Sequence, residues 1–107
     1  MKRTVRLALL WHMHQPLYRE AETGEYLLPW VRLHATRAYN DMAWMLERHP
    51  GVSCTVNFTP VLLEQLEQYA AGGAHDRFEH LTERPPADLA PEERQAILRS
   101  FFMVDWE

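Results

Sequence analysis

The run His12-Met13-His14-Gln15-Pro16 sets two imidazoles and an amide close together in the chain. Imidazole can donate, accept, bind a metal or steady developing charge, and an amide can do the first two of these. The run closes an apolar stretch, Val5 to His14, that reads as a buried strand interrupted only by Arg6. Strand alternation puts Val5, Leu7, Leu9, Trp11 and Met13 on one face and Ala8, Leu10, His12 and His14 on the other. The bulky face suits a covering layer of helices, while the second face turns polar at the strand's C-terminal end. Ligands bind at that end in parallel α/β proteins. The motif therefore reads as one wall of an active site, with Pro16 stiffening the exit and biasing Gln15 toward an extended conformation. The bland alternative is that both histidines only satisfy backbone groups in an interior.

The elements that must position this wall follow in order. A loop from Gln15 to Pro29 contains Gly24, and a helix is expected over Val31 to Arg48. Leu33, Ala38, Tyr39, Met42, Met45 and Leu46 form its apolar stripe. His49-Pro50-Gly51 ends it. Val52 to Phe58 reads as a second strand, with Val52, Cys54, Val56 and Phe58 on one face and Ser53, Thr55 and Asn57 on the other. Asn57 thus occupies a place comparable to that of the histidines. Thr59-Pro60 is a helix start, with a threonine N-cap and proline at the first position. The helix Pro60 to Ala71 is expected to bury Leu62, Leu63, Leu66 and Tyr69 and to stop at Gly72-Gly73. The cluster Glu64, Gln65, Glu67 and Gln68 reads as its solvated face. A polar connection spans Ala74 to Ala90, and Pro91-Glu92-Glu93 opens a third helix lined by Ile97, Phe101 and Val104.

The order β-α-β-α-loop-α implies an α/β protein with parallel strands joined by right-handed crossovers. Two parallel strands by themselves leave unpaired apolar edges, and parallel sheets need several strands with helices outside them. The 107 residues are therefore expected to be a fragment of a larger α/β domain, with the remainder of that domain as their partner.

Composition removes several classes of function. The net charge of −4, with scattered Lys and Arg, gives no surface for nucleic acid. No apolar stretch approaches the roughly 20 residues of a membrane helix. Met1-Lys2-Arg3 ahead of an apolar run superficially resembles a secretion signal, but Arg6 interrupts the run, which leads into His12 and His14 without a small-residue cleavage site. A cytoplasmic location is expected. Cys54 is the one cysteine, so no internal disulfide can form, and it reads as a small core residue.

Leu10-Trp11-His12-Met13-His14-Gln15-Pro16 closely resembles the first motif of glycoside hydrolase family 57. The resemblance continues through Tyr26-Leu27-Leu28-Pro29-Trp30-Val31-Arg32-Leu33-His34-Ala35, then Asn57-Phe58-Thr59-Pro60-Val61-Leu62-Leu63-Glu64-Gln65-Leu66, then Phe101-Phe102-Met103. It implies an incomplete (β/α)7 barrel acting with retention on α-glucans, as α-amylase-like hydrolases, 4-α-glucanotransferases and branching enzymes do. A glutamate nucleophile and an aspartate acid/base serve the family, without a catalytic metal or other cofactor. A retaining pair stands about 5 Å apart, and no Asp or Glu of this chain matches either role; both are expected downstream.

Carried over residue by residue, His12, His14 and Gln15 look like sugar-contacting groups, able to hold hydroxyls as charge develops. Trp30 can offer an indole platform to a pyranose, or simply staple the loop to the helix. Asn57 is a second-rank site candidate. Arg32 and His34 lie in a matched segment and could merely order the loop. Trp11, Trp44 and Trp106 read as packing residues. Two other functions stay open. One is a metal-dependent barrel hydrolase with His12 and His14 as ligands; the other is a non-catalytic carbohydrate-binding module using Trp30, Tyr18 and Tyr26.

Overall fold

A computed structural model describes residues 3–103. Among the described residues the sheet consists of β1 (Leu10–Met13) and β2 (Thr55–Phe58), which run parallel, and isolated bridges join Arg19 to Tyr26 and Tyr26 to Asp76. Helices α1 (Trp30–His34) and α2 (Asn40–Arg48) are joined through a wider π-helical turn at Ala35–Tyr39. After β2 come α3 (Pro60–Ala70), α4 (Arg77–Glu83), a short 3₁₀ turn at Pro86–Asp88, and α5 (Pro91–Ser100).

Both strands are shorter than the apolar runs suggest. Val5 and Leu7 are 89% and 82% exposed, and Leu10 also faces outward. A strand exists only where a ladder partner exists, and β2 begins opposite Leu10. The expectation of a strand buried on both faces therefore fails for this part of the chain. The parity holds. Trp11, Met13 and Val56 lie on the helix-covered side, in a core with Val31, Leu62, Leu66, Tyr69, Tyr39 and Met42. Cys54, expected in the core, is half-buried.

The long helix has its expected span, but its ladder widens midway. There the Thr36 hydroxyl donates to the Arg32 carbonyl oxygen at 2.9 Å, competing with the backbone donor that a regular ladder would place there. Tyr39 and Met42 pack onto the core, whereas Leu33 and Met45 are exposed. Trp44 is no core residue: it is half exposed, with the Arg48 guanidinium 4.0 Å above its ring. Trp106 and Val104 lie outside the described residues.

Helix α3 starts at Pro60 as expected, although the Thr59 hydroxyl makes no capping bond. It ends in a Schellman motif. Gly73 N–H reaches Gln68 O at 3.0 Å, Gly72 N–H reaches Tyr69 O at 3.1 Å, and Gly72 has φ +71°. Leu62 is fully buried on this helix, whereas Leu63 is exposed.

The segment between α3 and α5, expected to be a polar connection, contains helix α4. Its start rests on Asp76, whose carboxylate accepts the Glu79 N–H at 2.9 Å. Asp76 is fully buried and takes a two-pronged pair from Arg32, Nε to Oδ2 at 2.6 Å and Nη2 to Oδ1 at 3.1 Å. The Tyr69 hydroxyl lies 3.4 Å from Oδ2. Burial by itself would raise the Asp76 pKa. Arg32 and the backbone N–H groups of Glu79 and Phe78 outweigh it and hold the carboxyl below its ordinary value. Burial, then the neighbouring carboxylate, push the Tyr69 phenol upward, so it stays a donor. Helix α5 opens with the Glu93 carboxylate accepting the Ala90 N–H at 2.8 Å.

The Cα radius of gyration is 18.8 Å, against about 13 Å for a compact domain of this length. The extended N-terminal arm and the open sheet both contribute to that excess.

Replacing Asp76 with Ala should lower the urea midpoint strongly, by about 3 kcal/mol of stability, because Arg32 loses its buried partner and α4 its cap. Equal midpoints for the two chains would refute this role. Since folding lowers the Asp76 pKa, its contribution is complete above the unfolded value of about 3.9 and is lost as pH falls through the lower folded value. Wild-type stability should therefore drop steeply below about pH 4, and Asp76→Asn should flatten that part of the profile.

Candidate functional site

Parallel pairing sets His12 beside Asn57, with Leu10 facing Thr55, Trp11 facing Val56 and Met13 facing Phe58. Because Trp11, Met13 and Val56 are held in the core, a one-residue slip would expose them, so the register is fixed. The consequence on the other face is a direct contact. His12 Nδ1 donates to Asn57 Oδ1 at 2.6 Å. His14 lies one step on, its ring nearly parallel to that of His12 at 9° and 6.2 Å between centroids. His12, His14 and Asn57 are all exposed on this face. The structure thus brings together three of the five residues singled out from sequence, at the C-terminal ends of both strands.

Gln15 turns the other way and is half-buried. Its Oε1 accepts from the Tyr18 hydroxyl at 2.7 Å, and its Nε2 donates to the Tyr39 hydroxyl at 3.5 Å. Burial, then the neighbouring Tyr39, raise the Tyr18 pKa, so its phenol stays protonated and able to donate. One lone pair and one N–H of the Gln15 amide remain available.

Trp30 stands apart from this set. It is the first residue of α1 and lines a cleft of about 240 Å³ with Leu33, Phe78, Thr82, Phe101 and Met103, none of them from β1 or β2. Phe78 and Phe101 stack there with centroids 5.1 Å apart. Arg32, open to two readings in the sequence, is the partner of Asp76. His34 stacks on Tyr39 at 5.8 Å. Tyr26, the aromatic considered for a sugar-binding module, is buried and donates its hydroxyl to Gln68 Oε1 at 2.6 Å, which withdraws it from any surface role.

The residue that sequence reading missed is Gln65. Taken as part of a solvated face, it is instead fully buried. Its Nε2 donates to the carbonyl oxygens of Pro16 and Val61, both at 3.0 Å, and its Oε1 accepts the Tyr18 N–H at 3.1 Å. One side chain from α3 thus ties down the loop that leaves the histidine motif. The signal was available, since Gln65 falls at helical spacing inside the stripe Leu62, Leu66 and Tyr69. Glu64 and Glu67 do lie on the exposed side.

Among the described residues, no group of three His, Cys, Asp or Glu side chains is placed to hold a metal ion. No helix among them is long and apolar enough to cross a membrane. Asp76, the buried carboxylate among these residues, is committed to Arg32 and to the start of α4.

A polar surface at the carboxyl ends of parallel strands, with helices behind, is where α/β enzymes hold a substrate. The family model for glycosyl hydrolase family 57 matches residues 8–106, and the chain belongs to that family. That places it among the glycoside hydrolases, whose substrates are oligo- or polysaccharides. No curated protein and no solved structure matches the chain.

Gln65→Leu should leave the Tyr18 N–H and the Pro16 carbonyl without partners, at a cost of about 1–3 kcal/mol. Amide hydrogen exchange at Tyr18 should accelerate markedly in the variant. An unchanged rate would mean that the loop is held by other contacts.

Proposed function

We propose that this chain forms the substrate-holding wall of a retaining, α-glucan-active glycosidase or glucanotransferase. The observation that carries the reading is the register-locked face on which His12, Asn57 and His14 stand together at the strand ends. In this reading the first strands belong to an incomplete (β/α)7 barrel. The open edges of the two-stranded sheet and the exposed Leu10 and Phe58 support completion of that sheet by further strands.

His12 and His14 present ring nitrogens to sugar hydroxyls, and Gln15 offers what remains of its amide. These groups orient the glycosyl unit and strengthen their bonds as positive charge develops at the anomeric carbon. Trp30 serves as an outlying aromatic platform in its own cleft. Bond cleavage itself requires a nucleophilic glutamate and an acid/base aspartate about 5 Å apart. Neither β1 nor β2 carries an Asp or Glu, so the reading assigns both to the remaining strands. The glycosyl-enzyme intermediate is then resolved by water or by a sugar hydroxyl, giving hydrolysis or transfer. A cytoplasmic setting, where the lone thiol of Cys54 stays reduced, fits the same reading.

His14 is exposed and makes little packing contribution, so its removal separates function from stability. In the enzyme carrying both carboxylates, His14→Ala should reduce turnover on maltooligosaccharides roughly 100-fold while the thermal midpoint moves by only a few degrees. Undiminished turnover per folded molecule would remove His14 from the site. Loss of activity on chelation, with stoichiometric zinc bound, would favour metal-dependent chemistry instead.

A further inference from the structure

We infer that Asn57 is a positioning residue, whose side-chain oxygen fixes the His12 ring with its proton on Nδ1 and leaves Nε2 as an acceptor toward the substrate. The inference deepens the proposed function, since it rests on His12 facing a sugar.

An amide oxygen can only accept, so the 2.6 Å contact with Asn57 Oδ1 requires a proton on Nδ1 of His12. In the neutral ring the other nitrogen then carries a lone pair. A free histidine side chain favours the opposite tautomer, with its proton on Nε2, so the contact selects a form that His12 would otherwise adopt less. The same contact fixes the plane of the ring, which lies within 9° of the His14 ring.

The geometry is built into the sheet rather than into two mobile side chains. Adjacent parallel strands lie about 4.8 Å apart, and the ladder places His12 and Asn57 directly opposite each other. That ladder cannot shift without withdrawing Trp11, Met13 and Val56 from the core. A bound sugar would exclude water from this exposed face and strengthen the His12–Asn57 bond further. Asn57 therefore works through His12, as outer groups do when they fix the tautomer of an imidazole ligand. The two histidines are consequently not equivalent: the structure gives His12 a defined acceptor, while no such strand partner flanks His14 among the described contacts.

The test is ¹⁵N NMR of the histidine side chains in the intact protein, with maltotriose titrated against the His12 signals. In the wild type the Nε2 signal of His12 should fall in the unprotonated range and Nδ1 in the protonated range. Asn57→Leu should shift the ring toward the Nε2–H form and weaken maltotriose binding roughly tenfold, the worth of one hydrogen bond. Asn57→Asp, whose carboxylate accepts in the same place, should restore the Nδ1–H form. Finding Nε2–H in the wild type, or the same tautomer in Asn57→Leu as in the wild type, overturns the inference whatever the sugar does. If the tautomer responds as expected but maltotriose never perturbs His12, the positioning of His12 stands and the glucan reading fails.

Discussion

The paired bonds between Arg32 and Asp76 tie the start of α4 to α1, pieces of chain far apart in sequence. Arg32 sits on the first turn of α1, Asp76 begins α4, and the Tyr69 hydroxyl approaches from the end of α3. Alongside the pair, Tyr26 O accepts the Arg77 N–H at 2.9 Å, so the long loop after β1 is stitched to the same point. A carboxylate this deeply buried is tolerable only when charge and hydrogen bonds compensate it in full. Here a guanidinium fork, a helix N-terminus and a phenol all do so. The cluster thus fixes where α1 can lie, and α1 supplies Val31 to the core beneath β1.

From that anchor the polar face is assembled by two further constraints. One is apolar: Met13, Val31 and Leu62 interlock, and through them the parity and register of both strands are set. The other is polar: Gln65 satisfies backbone groups on either side of Leu17 and so determines how the chain leaves His14 and Gln15. The widened turn at Ala35–Tyr39 complements it by bringing the Tyr39 hydroxyl to Gln15. π-Helical turns recur at functional sites because they re-aim a side chain without breaking the helix.

The polar face and the Trp30 cleft have different characters. The first offers nitrogen and oxygen atoms in fixed positions on a nearly open surface. The second is apolar and aromatic, walled by α1, α4 and α5. In the proposed reading both face carbohydrate, and a pyranose, with hydroxyls at its rim and apolar faces that stack on aromatic rings, would use that division.

The sequence by itself determined the α/β order, the parity of β1, the starts of α3 and α5, and the family. Those features depend on local alternation, on Pro and Gly at element ends, and on motif order, all of which survive without tertiary context. It overstated both strands, because apolar content shows that a segment could pair but not where its partner begins. It missed α4, whose start depends on a carboxylate held in place by an arginine far away in the chain. It misjudged Gln65, because an amide in an apolar stripe looks solvated until the backbone groups it satisfies are brought alongside. It placed Trp30 and Asn57 together as site candidates, and only folding separated them. His12 and Asn57 became partners through a ladder between residues far apart in sequence, and such pairing is decided by the core on the opposite face of the sheet.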